Sequence, residues 1–155
     1  MTNSPYAPQV PKARTLRKKR GSPVKAIVLG LLTDIGGTMA TSFLLSIVFA
    51  VVWANQGMSN EQVVALMSDR ALSNPFTLTA TIFGTVCSYL GGFICARIVR
   101  RSEIRYGAVL AAISVLVGFA FSIGDSSPAR ISGLAILSVV VVMLGTAHGR
   151  AINRG

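Results

Sequence analysis

The sequence predicts an all-α fold. It reads as a polytopic membrane four-helix bundle with N-in/C-in topology and a short amphipathic outer helix between the first two spans. Three observations predict it. The chain of 155 residues is apolar, with a mean hydropathy of +0.62 and 13% charged residues, where soluble domains carry about 25%. The charge deficit falls in four segments, residues 26–54, 75–96, 106–124 and 131–147. At about 1.5 Å per residue, each is long enough, or nearly so, to cross about 30 Å of hydrocarbon. The third observation is where the basic residues lie. Seven precede or open the first span (Lys12, Arg14, Arg17, Lys18, Lys19, Arg20, Lys25), four follow the second (Arg97, Arg100, Arg101, Arg105) and two end the chain (Arg150, Arg154), with Arg70 and Arg130 alone on the other side. This asymmetry puts both termini and the middle loop in the cytoplasm.

The same distribution accounts for the net charge of +10. Nucleic-acid binders gather basic residues to neutralise phosphates. Here the cations flank spans, so topology and contact with anionic lipid at the basic tail are the expectation, with no nucleic acid.

Residues 1–23 hold four prolines and the basic cluster without apolar periodicity, so a disordered cytoplasmic tail is expected. The membrane domain is expected over residues 24–148 and a short basic tail over 149–155. Helix 1 runs from about Val24 to Trp53. Its apolar run is too long for a signal peptide and is interrupted by Asp34, and bulky Trp53 makes residues 52–54 a poor cleavage site, so it is expected to stay in place. Ser59 and Gln62 form a capping-box pattern ahead of Val63, Val64, Leu66 and Met67, which predicts the amphipathic outer helix. Asn74 and Pro75 are a cap and first-turn pair that opens helix 2, which ends near Arg100. Helix 3 is expected over about 104–124 and helix 4 over about 129–148, joined by the polar turn at 124–130.

Helix 2 carries the clearest pattern. Ala80, Gly84, Ser88, Gly92 and Ala96 recur every four residues. Lipid gives helices no hydrophobic reason to associate, and small residues let backbones approach closely enough for dispersion and interhelical hydrogen bonds. Helix 1 has a matching ladder that includes Gly30, Asp34, Thr38, Ser42, Ser46 and Ala50, so the two are expected to cross through these faces. The same faces could also build a homo-oligomer.

Asp34 is the single acid of helix 1 and stands on this ladder, so it faces protein. Counted back from Trp53, it lies near the inner edge of the hydrocarbon, about 28 Å away, and a pair with Arg97 or Arg100 is expected. Counted from Lys25, it is about 13 Å inside, where an acid is costly and a candidate proton or cation relay. Cys87 and Cys95 are too far apart on one helix for a disulfide, and His148 is expected to sit near the last carbonyls of helix 4. The sequence offers no nucleophile–base–acid set and no clustered metal ligands, so no catalytic residue, cofactor or metal is expected.

The motifs "LTDIGGT" in helix 1 and "YLGGFICAR" ending helix 2 resemble those of a group of small bacterial inner-membrane proteins with four predicted spans. In that group helix 2 often ends as Gly91, Gly92, Phe93, Ala96 and Arg97 do here. The resemblance covers about residues 25–150 and implies cell inner membrane topology, not chemistry. The function expected from the residues is a non-enzymatic assembly or accessory subunit with a membrane-protein partner. A small transporter or homo-oligomeric channel with Asp34 at its inner mouth is the alternative, and a holin-like pore is a weaker one. Polar residues along one route on several helices would favour transport. The expected polar face is on helix 1 alone: Asp34, Thr38, Ser42 and Ser46.

Overall fold

A computed structural model describes residues 22–69, 71, 73–121 and 128–154, and all regular structure among them is helical. Helix α1 (Pro23–Leu31) passes through a π turn (Leu32–Gly36) into α2 (Gly37–Asn55), giving one continuous 33-residue helix. Helices α3 (Asn60–Ser68), α4 (Pro75–Val99), α5 (Glu103–Phe121) and α6 (Pro128–Arg154) follow. Four helices, α1–α2, α4, α5 and α6, are long and apolar enough to cross a membrane. Their outward faces carry bare apolar side chains such as Phe43, Leu116 and Ile136, which water would penalise and lipid would not. These features suggest a multi-pass membrane protein.

The helix starts follow local chemistry. Pro23 and Pro75 sit in first turns, where a missing N–H costs nothing. Asn74 Oδ1 accepts from the Phe76 N–H at 2.9 Å. Ser59 and Gln62 form the expected capping box, with bonds of 2.9 and 3.3 Å. Helix α3 turns Val63 inward and leaves Val64 exposed. Asn74 Nδ2 donates to the Leu66 carbonyl at 2.6 Å and Thr77 Oγ1 to that of Asp69 at 2.7 Å, tying α3 to the start of α4. Phe49 meets Trp53 at a tilt and Phe76 edge-to-face at this end.

At the opposite end, where α1 begins and α6 ends, the bundle closes. Ala26, Cys95, Val99, Leu110, Ala111 and Val142 form its buried core. Backbones nearly touch there. A Cβ on Gly91 would fall 2.7 Å from the Gly30 carbonyl oxygen of α1, and one on Gly149 would fall 2.8 Å from that of Phe93. Cβ atoms on Gly92 and Gly145 would collide with the Val142 and Tyr89 carbonyls at the α4–α6 crossing. Thr146 is fully buried beside Gly92 and Gly107. Asn153 donates to the Ala96 carbonyl at 2.8 Å.

Helix α6 continues through Arg154, beyond the end near residue 148 expected for helix 4. Gly149 does not end the helix because its missing side chain admits Phe93 of α4, and Asn153 then docks on Ala96. His148 therefore lies six residues inside the end of α6, hydrogen-bonded through Nδ1 to Tyr89 Oη, and not at the last carbonyls. The tail through residue 21 and the polar turn at 124–127 lie outside the described residues.

Candidate functional site

Asp34 is buried within the π turn, 5% exposed. A π turn bonds i→i+5 and holds more residues per turn than an α-helix. It therefore offsets the drift of a four-residue repeat. Gly30, Asp34 and Thr38 all keep facing α4, against Gly91 and Gly84. Thr38 Oγ1 donates to the Asp34 backbone carbonyl at 2.6 Å, taking up an acceptor within the irregular turn.

The carboxylate itself is held by two serines from two other helices. Ser88 Oγ of α4 donates to Oδ1 at 2.6 Å, and Ser114 Oγ of α5 donates to Oδ2 at 2.5 Å. Both serines are buried. Bonds to an ionised acceptor are short and strong, and these two join three helices at one point. Each carboxylate oxygen keeps further acceptor capacity.

The expected pair with Arg97 or Arg100 is not what the carboxylate meets. Arg97 is exposed and nine residues beyond Ser88 on α4, about 13 Å along the axis. Arg100 is exposed at the end of α4, with a left-handed φ of 53°. Both lie on the far side of the closed half of the bundle. The count from Trp53 placed Asp34 too close to that end.

The packing ladder divides. Ser88 and Gly84 meet α1–α2 through Asp34 and Thr38, but Gly92 and Ala96 meet α6 through Val142 and Gly149. Four residues of α-helix rotate by about 400°, so each step of the ladder turns about 40° around α4. From Gly84 to Ala96 that carries it from one neighbour to the other. Gly91, one residue off the ladder, makes the close approach to Gly30. Ser42 is half-buried, and its carbonyl accepts from Ser46 at 2.8 Å.

From Asp34 toward the α3 end, the helices part. Helix α2 packs on the π turn, α3 and α4, while α5 and α6 pack on each other and on α4. The gap is a cavity of about 610 Å³ with Asp34, Ser88 and Ser114 at its floor. Thr77, Thr81 and Thr85 of α4 form a stripe up its wall, opposite Thr38 and Ser138, and Ala80 and Gly84 lie between. Thr81 and Thr85 donate to the carbonyls four residues back, at 2.8 Å each, so their oxygen lone pairs remain to accept. Met67 of α3, Phe76 and Arg130 of α6 stand at the mouth. The Arg130 Nε is buried without a hydrogen-bond partner. Exposed Met39, Phe119 and Leu134 make an apolar rim along the side.

The arrangement is a chamber closed at the Asp34 end and open toward α3 and along its apolar side. Among the described residues, it presents a carboxylate and hydroxyl acceptors inside, the Arg130 cation at the opening and apolar surface between. The volume falls within the usual range of small-molecule sites, about 300–1,000 Å³. Sequence reasoning found Asp34 and named Ser88 as a packing residue, but missed that Ser88 and Ser114 hold the carboxylate, and it missed the threonine stripe and the place of Arg130 on the cavity. The stripe was visible as a second four-residue repeat, Thr77, Thr81 and Thr85, beside the ladder. No model of a known protein family matches the chain, and no curated protein or solved structure matches it either.

Proposed function

We propose that this chain is a small-solute carrier or channel of the bacterial cytoplasmic membrane. Both termini and the α4–α5 turn face the cytoplasm, and the α3 end faces outward. The observation that carries the reading is the line of hydroxyls from α2, α4, α5 and α6 that converges on buried Asp34. An intramembrane acid beside a polar cavity marks a solute or ion path, because burying it without such a role is costly. The chamber lies within one chain, so solute binding needs no second copy. Its outward opening and glycine-closed inner half resemble one side-open state of an alternating-access cycle. The orientation rests on the thirteen basic residues at the terminal end, which also suit anionic lipid. No catalysis is assigned.

The polar route moves the preference from accessory subunit to solute handling. The test is thermal unfolding of the protein purified in mild detergent, against inorganic cations, small organic amines, amino acids and polyols. One class is expected to raise the midpoint for the wild type but not for Asp34→Asn, since ligand binding stabilises the folded state. Asparagine keeps the shape and removes the charge. If no class shifts the wild type, or the shift persists in Asp34→Asn, the solute site is wrong. A stoichiometric co-purifying membrane protein would then restore the accessory-subunit reading.

A further inference from the structure

We infer that the solute is an elongated zwitterion, its cationic end on Asp34 at the floor and its anionic end on Arg130 at the mouth. This rests on the solute-site reading above and adds the class of ligand. The two charges share one cavity, and among the described residues no other charged side chain lines it. Asp34 is held by two neutral hydroxyls, and Arg130 has a buried Nε without a partner. Opposite charges at the two ends of a weakly polar chamber each want a close partner, because a charge out of water is costly unless paired. A singly charged solute would compensate one and leave the other. A solute with both charges compensates both.

The length follows from the helices. Val141 lines the cavity near the floor, next to Val142 at the Gly92 crossing, and Arg130 is eleven residues earlier on α6. That is about 16 Å of axial rise. The reach of the arginine side chain shortens the gap between charges to roughly 10–16 Å. The threonine oxygens along the wall accept hydrogen bonds, so the middle of the solute offers N–H or O–H donors. A peptide of about three residues, at roughly 3.3–3.6 Å each, has this length, these end charges and these donors.

The experiment is calorimetric titration of the purified full chain with trialanine, N-acetyl-trialanine, trialanine amide and hexylamine. Wild type is expected to bind trialanine, and removing either end charge is expected to weaken binding by about ten- to a hundredfold, the worth of a hydrogen bond to a charged group. Asp34→Asn should weaken free trialanine as acetylation does, without further weakening the acetylated peptide. Arg130→Gln should do the same with respect to the amide. The capped peptides test both ends on the unaltered protein, so a variant that fails to fold does not decide the matter. The proposal is overturned if trialanine does not bind, if either capped peptide binds as tightly as the free one, or if Arg130→Gln leaves trialanine unaffected. Asp34-dependent hexylamine binding without any dependence on Arg130 would reject the zwitterion and keep the solute site. No Asp34-dependent ligand of any kind would reject both.

Discussion

The two halves of this bundle are built from similar residues to opposite ends. In the terminal half, small side chains are used up by contact. Gly30, Gly91, Gly92, Gly145 and Gly149 sit where an added Cβ would run into the backbone of another helix. In the α3 half, Gly118 and Gly133 would meet nothing within 4 Å. The hydroxyl residues divide in the same way. Thr146 is fully buried against α4 and α5, whereas Thr81 and Thr85 look into open space. A small residue in a membrane helix permits close approach but does not enforce it. What decides is whether the neighbouring helix also presents a small residue at that depth, as Gly30 does to Gly91. Asp34 marks the boundary between the regimes, and its π turn keeps helix 1 facing α4 through the change.

Overpacking the closed half should therefore give the largest loss. Gly145→Val drives two methyl groups into the Tyr89 backbone, with an expected cost of about 3 kcal/mol or more. Its measure is reversible unfolding in mixed micelles. A cost below 1 kcal/mol would mean that α4 and α6 do not touch there.

Removing one serine at the boundary should cost less. Ser88→Ala or Ser114→Ala leaves one carboxylate oxygen without its donor, an expected loss of about 1–2 kcal/mol. In a double-mutant cycle with Asp34→Ala, which removes both acceptor oxygens, the serine should lose most of its effect. Additive losses would place the carboxylate elsewhere.

The smallest effect belongs to the open half. Gly118→Ala and Gly133→Ala meet no atoms and improve helix propensity, so stability should be unchanged or rise by up to about 1 kcal/mol. If these alanines cost as much as Gly145→Val, the contrast between halves is false.

Much of this was legible because it is local. Hydropathy and length give the four helices, and Ser59–Gln62 and Asn74–Pro75 give two of the helix starts. The ladder identified residues that pack, but assigned its far end to the wrong neighbour. A repeat read in one dimension hides a rotation of about 40° per step. The partners of Asp34 were hidden because Ser88 and Ser114 lie 54 and 80 residues away in sequence. Arginines are the obvious mates for an acid, and two serines are not. The threonine stripe escaped notice for another reason. Threonine is only weakly polar, so three of them barely dent the apolar profile of α4, yet an oxygen that donates to its own helix four residues back still accepts from the cavity side. Nothing local in "LTDIGGT" announces a π turn.

The account turns on whether the chamber above Asp34 holds water. Single cysteines at Thr81 and Thr85 on the cavity wall, and at Ile82 and Val86 on the exposed outer face of the same helix, test it most directly. The background replaces Cys87 and Cys95 with alanine, and intact cells are treated with a membrane-impermeant thiol reagent. The account predicts rapid labelling at Thr81 and Thr85 and almost none at Ile82 and Val86. Equal labelling on both faces, or labelling of Thr81 and Thr85 only by lipid-soluble reagents, would contradict it and make the gap a lipid-filled groove.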